Sequence, residues 1–432
     1  MPESLLPKHN RRAALKGLAA LATVQILPRN IALGGPDAPS NQLTRAIIGC
    51  GGISKYHLPM PGRLLALCDV DSKHLAARMK QVHGKGNKDC KGYSDFREIL
   101  ARKDIDIIHT ATPPHWHAYQ AIAAAKAGKH VWGEKPMSRT IGEGIAMKKA
   151  IADAGVAFRL NTWFRFKDRF YGSGVTAREV RKAVAGGLLG NGPLKVTLSG
   201  ITGFNWKFNW VGKTGLKPQQ VPENLDYDFW LGPAPMKPYN PHRVHKTFRG
   251  YWDYDGGGLG DMGQHYLDPV QYILGKDEEL PVSVEIDADP QDQDAVGKWR
   301  RITYKYADGT TIVLDGINKD KKAAFIEGSE GKIFKGFKSD ITGFAEKVKQ
   351  LPEPPKQVTD FHQAIREKKK FALNEINGFA SCTLVNLGKI AHRTNENIVF
   401  DPKAMKITNS EKANALIHQE DRDKWDHRKL IG

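Results

Sequence analysis

Short apolar runs alternate with longer helix-like stretches from residue 44 to residue 162, and this alternation constrains the fold more than any other feature of the chain. Two of the helix-like stretches stop at Gly128 and Gly155, as helix C-termini do. Strands and helices that alternate at this length favour a parallel, doubly wound α/β sheet. We predict strands at residues 45–48, 64–68, 105–111, 130–132 and 157–161, and helices at residues 72–83, 94–100, 117–127 and 141–154.

The pattern changes beyond about residue 163, where apolar and polar residues alternate between turn residues. This alternation is typical of a mostly antiparallel sheet, so we predict a second domain of α+β type that reaches residue 400. Its predicted strands are residues 194–199, 282–286, 301–306, 311–314 and 324–326, and its predicted helices are residues 358–368 and 378–395. Residues 401–432 are polar, and we predict an exposed tail there.

The chain carries 65 Lys and Arg residues against 47 Asp and Glu residues, a net charge of +18. Its cations are scattered along the sequence, which argues against nucleic acid as the partner. An anionic substrate or a cell-surface polymer explains the charge equally well. The four cysteines include no CxxC pair. The sequence therefore predicts neither a structural zinc site nor another metal centre.

A glycine-rich loop follows the first predicted strand. Gly49, Gly51 and Ser54 have the spacing of a dinucleotide-binding loop, in which the first glycine permits a tight turn. The second glycine lets the backbone approach a pyrophosphate at a helix N-terminus. We therefore predict that Gly49, Gly51, Gly52 and Ile53 bind a nicotinamide dinucleotide.

Asp69 ends the second predicted strand, where an acidic side chain accepts hydrogen bonds from the hydroxyls of the adenosine ribose. Its charge repels a 2′-phosphate, so NAD is favoured and NADP stays an alternative. Asp69 also fits the N-cap of the next helix, a role for which Asp71 competes. Only about nine residues, including Pro59 and Pro61, separate Ser54 from the second strand, which limits the first helix to about two turns.

Three further motifs follow in order: TPPHWH from Thr112 to His117, then Glu134-Lys135-Pro136, then GGGLGDMGQH ending at His265. Together with the glycine loop they resemble the Gfo/Idh/MocA oxidoreductases, over about residues 44–400. The resemblance implies a Rossmann domain over residues 44–162. It also implies a substrate and oligomerisation domain with a large open sheet over residues 163–400, in a homodimer or tetramer. The implied cofactor is NAD(P), and the implied substrates are sugars and polyols.

The resemblance assigns Lys135, Asp261 and His265 to catalysis, and it places at the cofactor Thr112, Pro113, His117, Glu134 and Lys135. The chemistry agrees, because oxidation of a secondary alcohol needs a hydride acceptor and a base, for which histidine is suited. Asp261 and His265 share one helix face, so the carboxylate can orient the imidazole. Taken singly, Lys135 also fits a surface ion pair, and Asp261 with His265 also fits a capping pair.

Aromatic and cationic residues cluster before Asp261, a composition that suits stacking and hydrogen bonding to a sugar. We predict that the substrate contacts Trp163, Arg165, Arg243 and Trp252; the alternative is that the tryptophans are core residues.

Residues 1–40 contain Arg11-Arg12 before a short apolar stretch, which is similar to a twin-arginine export signal. The alternative is an amphipathic helix or a disordered arm. The stretch is too short to predict a transmembrane helix, so we expect export to the periplasm without stable membrane insertion. Because twin-arginine transport carries folded proteins and the periplasm has no ready pool of NAD, we expect a tightly held cofactor.

Three functions fit the sequence. The first is a dehydrogenase acting on a sugar, polyol or glycoside hydroxyl. The second is a glycosidase that oxidises the sugar transiently, eliminates the aglycone and reduces the sugar again. The third is a sugar- or nucleotide-binding protein without catalysis. Lys135 and the Asp261–His265 pair favour the first.

Overall fold

The computed structural model describes residues 42–162, 164–166, 170–171, 173–204 and 210–431. Residues Thr44–Gly432 form one compact unit that contains two sheets. The predicted leader at residues 1–40 lies outside the described residues. Within the described part, every helix is too short or too polar to cross a bilayer.

The first sheet has six parallel strands in the order β3-β2-β1-β4-β5-β6, the strand order of a Rossmann fold. This confirms the predicted parallel, doubly wound architecture. The prediction missed β3, because this strand has only three residues and none of them is buried. The strands are β1 (Thr44–Ile48), β2 (Arg63–Cys68), β3 (Lys91–Tyr93), β4 (Ile107–Thr110), β5 (His130–Glu134) and β6 (Phe158–Asn161).

The helices between these strands begin and end at capping residues. Asp71 accepts hydrogen bonds from the backbone N–H groups of Lys73 and His74 at the start of the second helix. The fifth helix starts with a capping box at Thr140 and ends at Gly155 in the left-handed conformation. The helices are α1 (Ser54–His57), α2 (Ser72–Gly84), α3 (Phe96–Leu100), α4 (His117–Lys126) and α5 (Ile141–Ala154).

The helix after the glycine loop, α1, has a single turn, shorter than the two turns that the sequence allowed. Arg45 on β1 supports the segment that follows it. The buried guanidinium donates to the carbonyl oxygens of His57, Leu58 and Gly62 at 3.1, 2.8 and 2.9 Å. These contacts tie the end of α1 and the loop that follows it to β1.

The second sheet has nine strands in the order β13-β12-β11-β7-β10-β9-β8-β14-β15. Its pairs are antiparallel except for β7 and β10, which confirms the predicted large and mostly antiparallel sheet. The strands are β7 (Lys195–Leu198), β8 (Ser283–Ala288), β9 (Trp299–Lys305), β10 (Thr311–Asp315), β11 (Ile326–Glu327), β12 (Lys332–Phe334), β13 (Lys338–Ser339), β14 (Ile398–Asp401) and β15 (Lys406–Ile407).

Two long helices of this part of the chain are buried along nearly their whole length. They are α8 (Gly257–Leu274) and α11 (Glu375–Thr394), which pack against each other, and α11 also packs against α5. This packing places α8, with its Asp261 and His265, beside the Rossmann sheet. The other helices are α6 (Ala177–Ala185), α7 (Tyr227–Leu231), α9 (Phe344–Gln350), α10 (Phe361–Arg366), α12 (Glu411–Ala415) and α13 (Arg428–Ile431).

The segment after residue 400 differs from the exposed polar tail that we predicted. It adds β15 and two helices, and it buries four apolar side chains, Ile407, Ala413, Ile417 and Trp425. Trp425 is 1% exposed, and its ring meets four aromatic side chains at centroid distances of 5.0 to 6.5 Å. A polar composition misled the prediction because a few large apolar residues decide whether a segment docks. The four aromatic partners are Phe96, Trp116, Tyr119 and Phe229.

Trp425→Ala tests whether this segment is part of the folded core. We expect the free energy of unfolding to fall by about 3 kcal/mol, because truncation of a buried tryptophan removes its packing and leaves a cavity. Lys412→Ala, an exposed change in the same segment, is the control. Chemical denaturation measures both, and an equal stability of the two variants would contradict the docking.

Candidate functional site

A cleft of about 530 Å³ lies between the carboxyl ends of the parallel strands and the second part of the chain. One wall is made by the glycine loop, the end of β2 and the loop after β4. The opposite wall is mainly aromatic and cationic. Its side chains are Trp210, Phe229, Trp230, His245, Lys246, Phe248 and Arg249.

The glycine loop is shaped to receive a ligand. Gly49 has φ of +96°, and a Cβ there would lie 2.6 Å from the carbonyl oxygen of Ala111. At Gly51 and Gly52 a Cβ would meet nothing within 4 Å. The first glycine therefore lets two loops approach each other, and the next two leave open space where a pyrophosphate fits against backbone N–H groups. These glycines and Ile53, which we predicted to bind the dinucleotide, line the cleft.

Asp69 lines the cleft beside this loop. Its Oδ2 accepts a hydrogen bond from the Cys50 N–H at 2.6 Å, and its Oδ1 accepts one from the Asp71 N–H at 2.8 Å. Burial raises the pKa of Asp69, and these two hydrogen bonds oppose that shift. Since Asp71 caps α2, the alternative that gave Asp69 the capping role is wrong, and Asp69 remains beside the space for the adenosine ribose.

The loop after β4 supplies Thr112 and Pro113, two of the predicted cofactor contacts, to the cleft. His117 lies behind them and is buried. Its Nε2 lies 2.9 Å from the Thr112 carbonyl oxygen and its Nδ1 lies 2.7 Å from the Pro136 carbonyl oxygen. Burial lowers the pKa of His117, so the neutral ring donates to one carbonyl at a time. His117 therefore joins two loops of the site and is not part of the cleft wall.

Glu134 also differs from the predicted cofactor contact, because it belongs to a buried network under the cleft. Its Oε1 lies 2.8 Å from the His57 Nε2 and accepts a hydrogen bond from the Asn161 amide at 2.5 Å. Burial works to raise the pKa of Glu134, but the hydrogen bonds and the charge of Lys135 outweigh it and lower the pKa. The carboxylate thus holds α1, β5 and β6 together immediately before Lys135.

Lys135 and Asp261 form an ion pair that joins the two domains. The Lys135 Nζ lies 2.9 Å from the Asp261 Oδ1 and donates to the Asp261 carbonyl oxygen at 2.6 Å. The Arg249 Nε donates to the same Oδ1 at 2.8 Å. Burial works to raise the pKa of Asp261, but the charges of Lys135 and Arg249 outweigh it and hold the pKa well below its usual range.

His265 lies one helical turn after Asp261 on α8, and its buried ring meets the edge of Phe164 at a centroid distance of 4.8 Å. We predicted that Lys135, Asp261 and His265 act together. In the structure the Lys135 ammonium group contacts Asp261, one helical turn before His265 on α8. The Asp261 carboxylate accepts hydrogen bonds from Lys135 and Arg249, so it positions a lysine, a role that we did not predict.

Three of the predicted substrate contacts are corrected by the structure. Arg165 is buried and pairs with Asp268 and Asp277 at 2.8 and 2.6 Å. Arg243 pairs with Asp294, and the buried Trp252 donates its indole N–H to the Asp292 carbonyl oxygen at 3.1 Å. These side chains hold the second domain together and are absent from the cleft wall. Trp163, the fourth predicted contact, lies outside the described residues.

The cleft contains cationic and aromatic residues that the sequence did not single out as contacts. The Arg249 guanidinium lies 5.0 Å from the centre of the Trp210 ring, and the Lys246 ammonium lies 5.3 Å from the same ring. Burial lowers the pKa of His245, which also lines the cleft. These four residues, Trp210, His245, Lys246 and Arg249, belong to the aromatic and cationic segment noted in the sequence. The composition of that segment alone does not show which of its side chains face the cleft.

Asp255 is a buried carboxyl group next to this site. A Cβ at Gly260, in the first turn of α8, would lie 2.1 Å from the Asp255 Oδ1, so the carboxyl group packs directly against that turn. Burial and the neighbouring Asp261 carboxylate raise the pKa of Asp255 to about 7, against the charges of Lys389, Arg249 and Lys135. Asp255 is therefore protonated in the folded chain at mildly acidic pH.

Comparison with known proteins covers both domains. A family model described as "Oxidoreductase family, NAD-binding Rossmann fold" matches residues 43–162. A second, described as "Oxidoreductase family, C-terminal alpha/beta domain", matches residues 173–427. The first domain is thus an NAD-binding Rossmann domain.

Two curated relatives match shorter stretches. A levoglucosan dehydrogenase from Pseudarthrobacter phenanthrenivorans is 49% identical over 126 residues, which cover 26% of this chain and 31% of the relative. A glycosyl hydrolase family 109 protein from Saccharopolyspora erythraea is 35% identical over 106 residues, which cover 22% of this chain and 23% of the relative. The chain thus spans less than a third of the length of either relative.

Two solved structures share the fold. The WlbA dehydrogenase of Bordetella pertussis, in complex with NADH and UDP-GlcNAcA, matches with a TM-score of 0.56 at 21% identity. A levoglucosan dehydrogenase in complex with NADH and levoglucosan matches with a TM-score of 0.52 at 19% identity. Each match covers 83% of this chain and 99% of the other chain.

Asp255→Asn tests the protonated carboxyl group through the pH dependence of stability. An unfolded Asp releases its proton near pH 3.9, whereas the native pKa is about 7. Between these values the native state holds a proton that the unfolded chain has lost, so this group lowers the free energy of unfolding as pH rises. Relative to Asp255→Asn, the native chain should lose up to about 4 kcal/mol across this window.

Urea denaturation at a series of pH values measures this difference. Asp89→Asn, which changes an exposed carboxylate, should follow the native profile. Parallel profiles for the native chain and Asp255→Asn would show that Asp255 is ionised in the fold.

Proposed function

Because the chain belongs to the Gfo/Idh/MocA oxidoreductase family, we propose that it transfers a hydride between a secondary hydroxyl of a sugar, polyol or glycoside and a tightly bound nicotinamide cofactor. The observation that carries the proposal is the Lys135–Asp261 ion pair, because it joins the NAD-binding domain to the second domain beside the cleft. It brings one cation from each domain to a shared carboxylate.

The residues of the chain divide the chemistry between them. NAD, when bound, supplies the hydride acceptor. Lys135 and Arg249 share the single charge of Asp261, so the three groups leave a net positive charge next to the cleft. That charge stabilises the negative charge that develops on a hydroxyl oxygen during oxidation. In the proposal, His265 accepts the hydroxyl proton.

The residues for the cofactor are Gly49, Gly51, Gly52, Ile53, Asp69, Thr112 and Pro113, all of which line the cleft. His117 and Glu134 support the loops from behind. Asp69 carries a charge that disfavours a 2′-phosphate, which supports NAD rather than NADP. The cleft is open at the glycine loop, so the residues present fit a dinucleotide.

Contacts between the domains support a tightly held cofactor. The Asp226 N–H donates to the Val70 carbonyl oxygen at 3.1 Å, and the Ser72 N–H donates to the Asn224 carbonyl oxygen at 2.9 Å. Both contacts fasten the second domain to the loop that follows Asp69. These bonds hold the loop in a fixed position beside the space for the adenosine half of a dinucleotide.

The proposal includes the wider setting of the enzyme. The twin-arginine-like leader supports export to the periplasm. Because this route carries folded proteins, the chain would cross the membrane with its cofactor bound. The aromatic and cationic wall of the cleft supports a carbohydrate substrate, and the large open sheet supports a homodimer or tetramer. Attachment of the leader to a fluorescent reporter, with Arg11 and Arg12 replaced by Lys as control, tests the export route.

Lys135→Ala and His265→Ala test the two proposed catalytic side chains. We expect turnover to fall by about 10²- to 10⁴-fold in each, because each removes a charge or a base at the reacting oxygen. Nucleotide released on denaturation should stay near one per chain, since the glycine loop and Asp69, which line the cleft, are unchanged in both variants.

The assay measures oxidation of a panel of sugars and glycosides by the purified chain. Lys80→Ala, an exposed substitution on α2, is the control and should keep native turnover. Near-native turnover in both site variants would contradict the assigned roles, and an absence of released nucleotide from the native chain would contradict the tight cofactor.

A second candidate function is a glycosidase that works by transient sugar oxidation, elimination of the aglycone and re-reduction. The observation that favours it is the similarity to glycosyl hydrolase family 109 proteins. The two candidates differ in their redox balance, because the glycosidase regenerates its cofactor in each cycle. We expect no release of aglycone from nitrophenyl glycosides without an added electron acceptor, and such release would favour the glycosidase.

A further inference from the structure

Three side chains with metal-binding atoms meet at the rim of the cleft beside Asp69. Asp71 and His74 belong to the start of α2 in the NAD-binding domain, and His245 belongs to a 3₁₀ turn, His245–Gly250, of the second domain. One donor atom from each residue lies within 4.8 Å of the other two. The three residues are therefore close enough for one ion to contact all of them after small rotations of the imidazole rings.

One donor distance in this group already matches the spacing at a small divalent ion. A tetrahedral zinc ion with bonds of about 2.0–2.1 Å to nitrogen and oxygen separates its donor atoms by about 3.3 Å. The His245 Nε2 and the Asp71 Oδ2 are 3.3 Å apart. The ring centroids of His74 and His245 are 4.5 Å apart, with the planes tilted by 57°. Two imidazoles and one carboxylate form a donor set that zinc and related transition metals prefer.

The carboxylate of Asp71 is held in place by contacts to its other oxygen. The Asp71 Oδ1 accepts hydrogen bonds from the backbone N–H groups of Lys73 and His74 and from the Asn224 side-chain amide. These bonds leave Oδ2 directed toward His245. Hydrogen bonds that orient a ligand from behind are a regular feature of protein metal sites.

The local charge also favours a cation. The Asp69 carboxylate lies 4.0 Å from the His74 Nδ1, and the Asp71 carboxylate lies 3.3 Å from the His245 ring. Two acidic groups thus face two imidazoles at a rim where His74 and His245 are both partly exposed. An ion can reach this rim from solvent.

A second group of similar composition shows the contrast. Asp421, Asp426 and His427 also place donor atoms within 4.8 Å of one another. There, however, Arg139 lies 2.8 Å from the Asp421 carboxylate and Arg428 lies 2.9 Å from the Asp426 carboxylate. The two guanidinium groups already pair with both carboxylates, so a metal ion is not required to balance their charge.

We propose that Asp71, His74 and His245 bind one divalent transition-metal ion of the zinc type, with water as the remaining ligand. The ion joins the two domains at the rim of the cleft, next to the backbone contacts of Asn224 and Asp226. It stabilises the closed arrangement and slows the release of nucleotide. The site does not depend on the proposed redox reaction, because its ligands are separate from Lys135, Asp261 and His265.

The experiment uses the full chain with its affinity tag removed. Metal is stripped with a chelator, and Co²⁺ is added while the visible absorption of the bound ion and the heat of binding are recorded. We expect one Co²⁺ per chain, displaced by Zn²⁺. Affinity should fall at least tenfold in His74→Ala and in His245→Ala, since each variant keeps only two ligands.

His242→Ala is the matched control, because His242 lies three residues before His245 and instead lies 2.6 Å from the Tyr251 hydroxyl. It should bind Co²⁺ as the native chain does. Nucleotide release, measured by filtration after dilution, should be slower with Zn²⁺ than without it in the native chain and in His242→Ala only. An absence of Co²⁺ binding, or equal binding in the two site variants and the native chain, would overturn the proposal.

Discussion

The carboxylate of Asp261 is shared by two cations, Lys135 and Arg249, and this shared charge fixes how the two domains meet. A buried ion pair costs desolvation energy that its attraction only roughly offsets, so stability alone is a weak reason for it. Its effect on Lys135 is a better reason. The ammonium group is held at a defined point by two oxygens of one residue, and one net positive charge remains for a ligand oxygen.

Much of the fold could be predicted because its strands and helices have local sequence patterns that are typical of each. Buried parallel strands are continuous apolar runs, and helices end at glycines such as Gly155, so the first sheet follows from the sequence. Two of the features that the prediction missed show where local patterns fail. The strand at Lys91–Tyr93 is too short and exposed to show a pattern, and the polar composition of residues 401–432 hides the docking of Trp425.

The residues of the candidate site also differ in whether local sequence patterns could predict them. The glycine loop and Asp69 could be placed at the cleft from the sequence, because the glycine spacing and an acidic residue at the end of the second strand are local sequence features. Arg165 and Arg243 were assigned wrongly because a guanidinium suits a sugar and an internal carboxylate equally well. The residues that decide are Asp268 and Asp294, which are distant in sequence. Arg249 shows the converse, since its pairing with Asp261 across twelve residues follows no helical or strand period.

The two domains are joined at the cleft by contacts of two kinds. The difference between them affects which ligands can leave the cleft. Next to Asp69 the contacts include backbone hydrogen bonds, between Asp226 and Val70 and between Ser72 and Asn224. Such bonds are lost together when the loop moves by more than a fraction of an ångström. At Lys135 the contact is a charge pair, whose energy changes gradually with distance. The contact beside Asp69 therefore depends on close backbone geometry, whereas the contact at Lys135 tolerates small changes in the distance between the two charges. This asymmetry supports the proposal that a small substrate exchanges at the cleft while the dinucleotide stays bound.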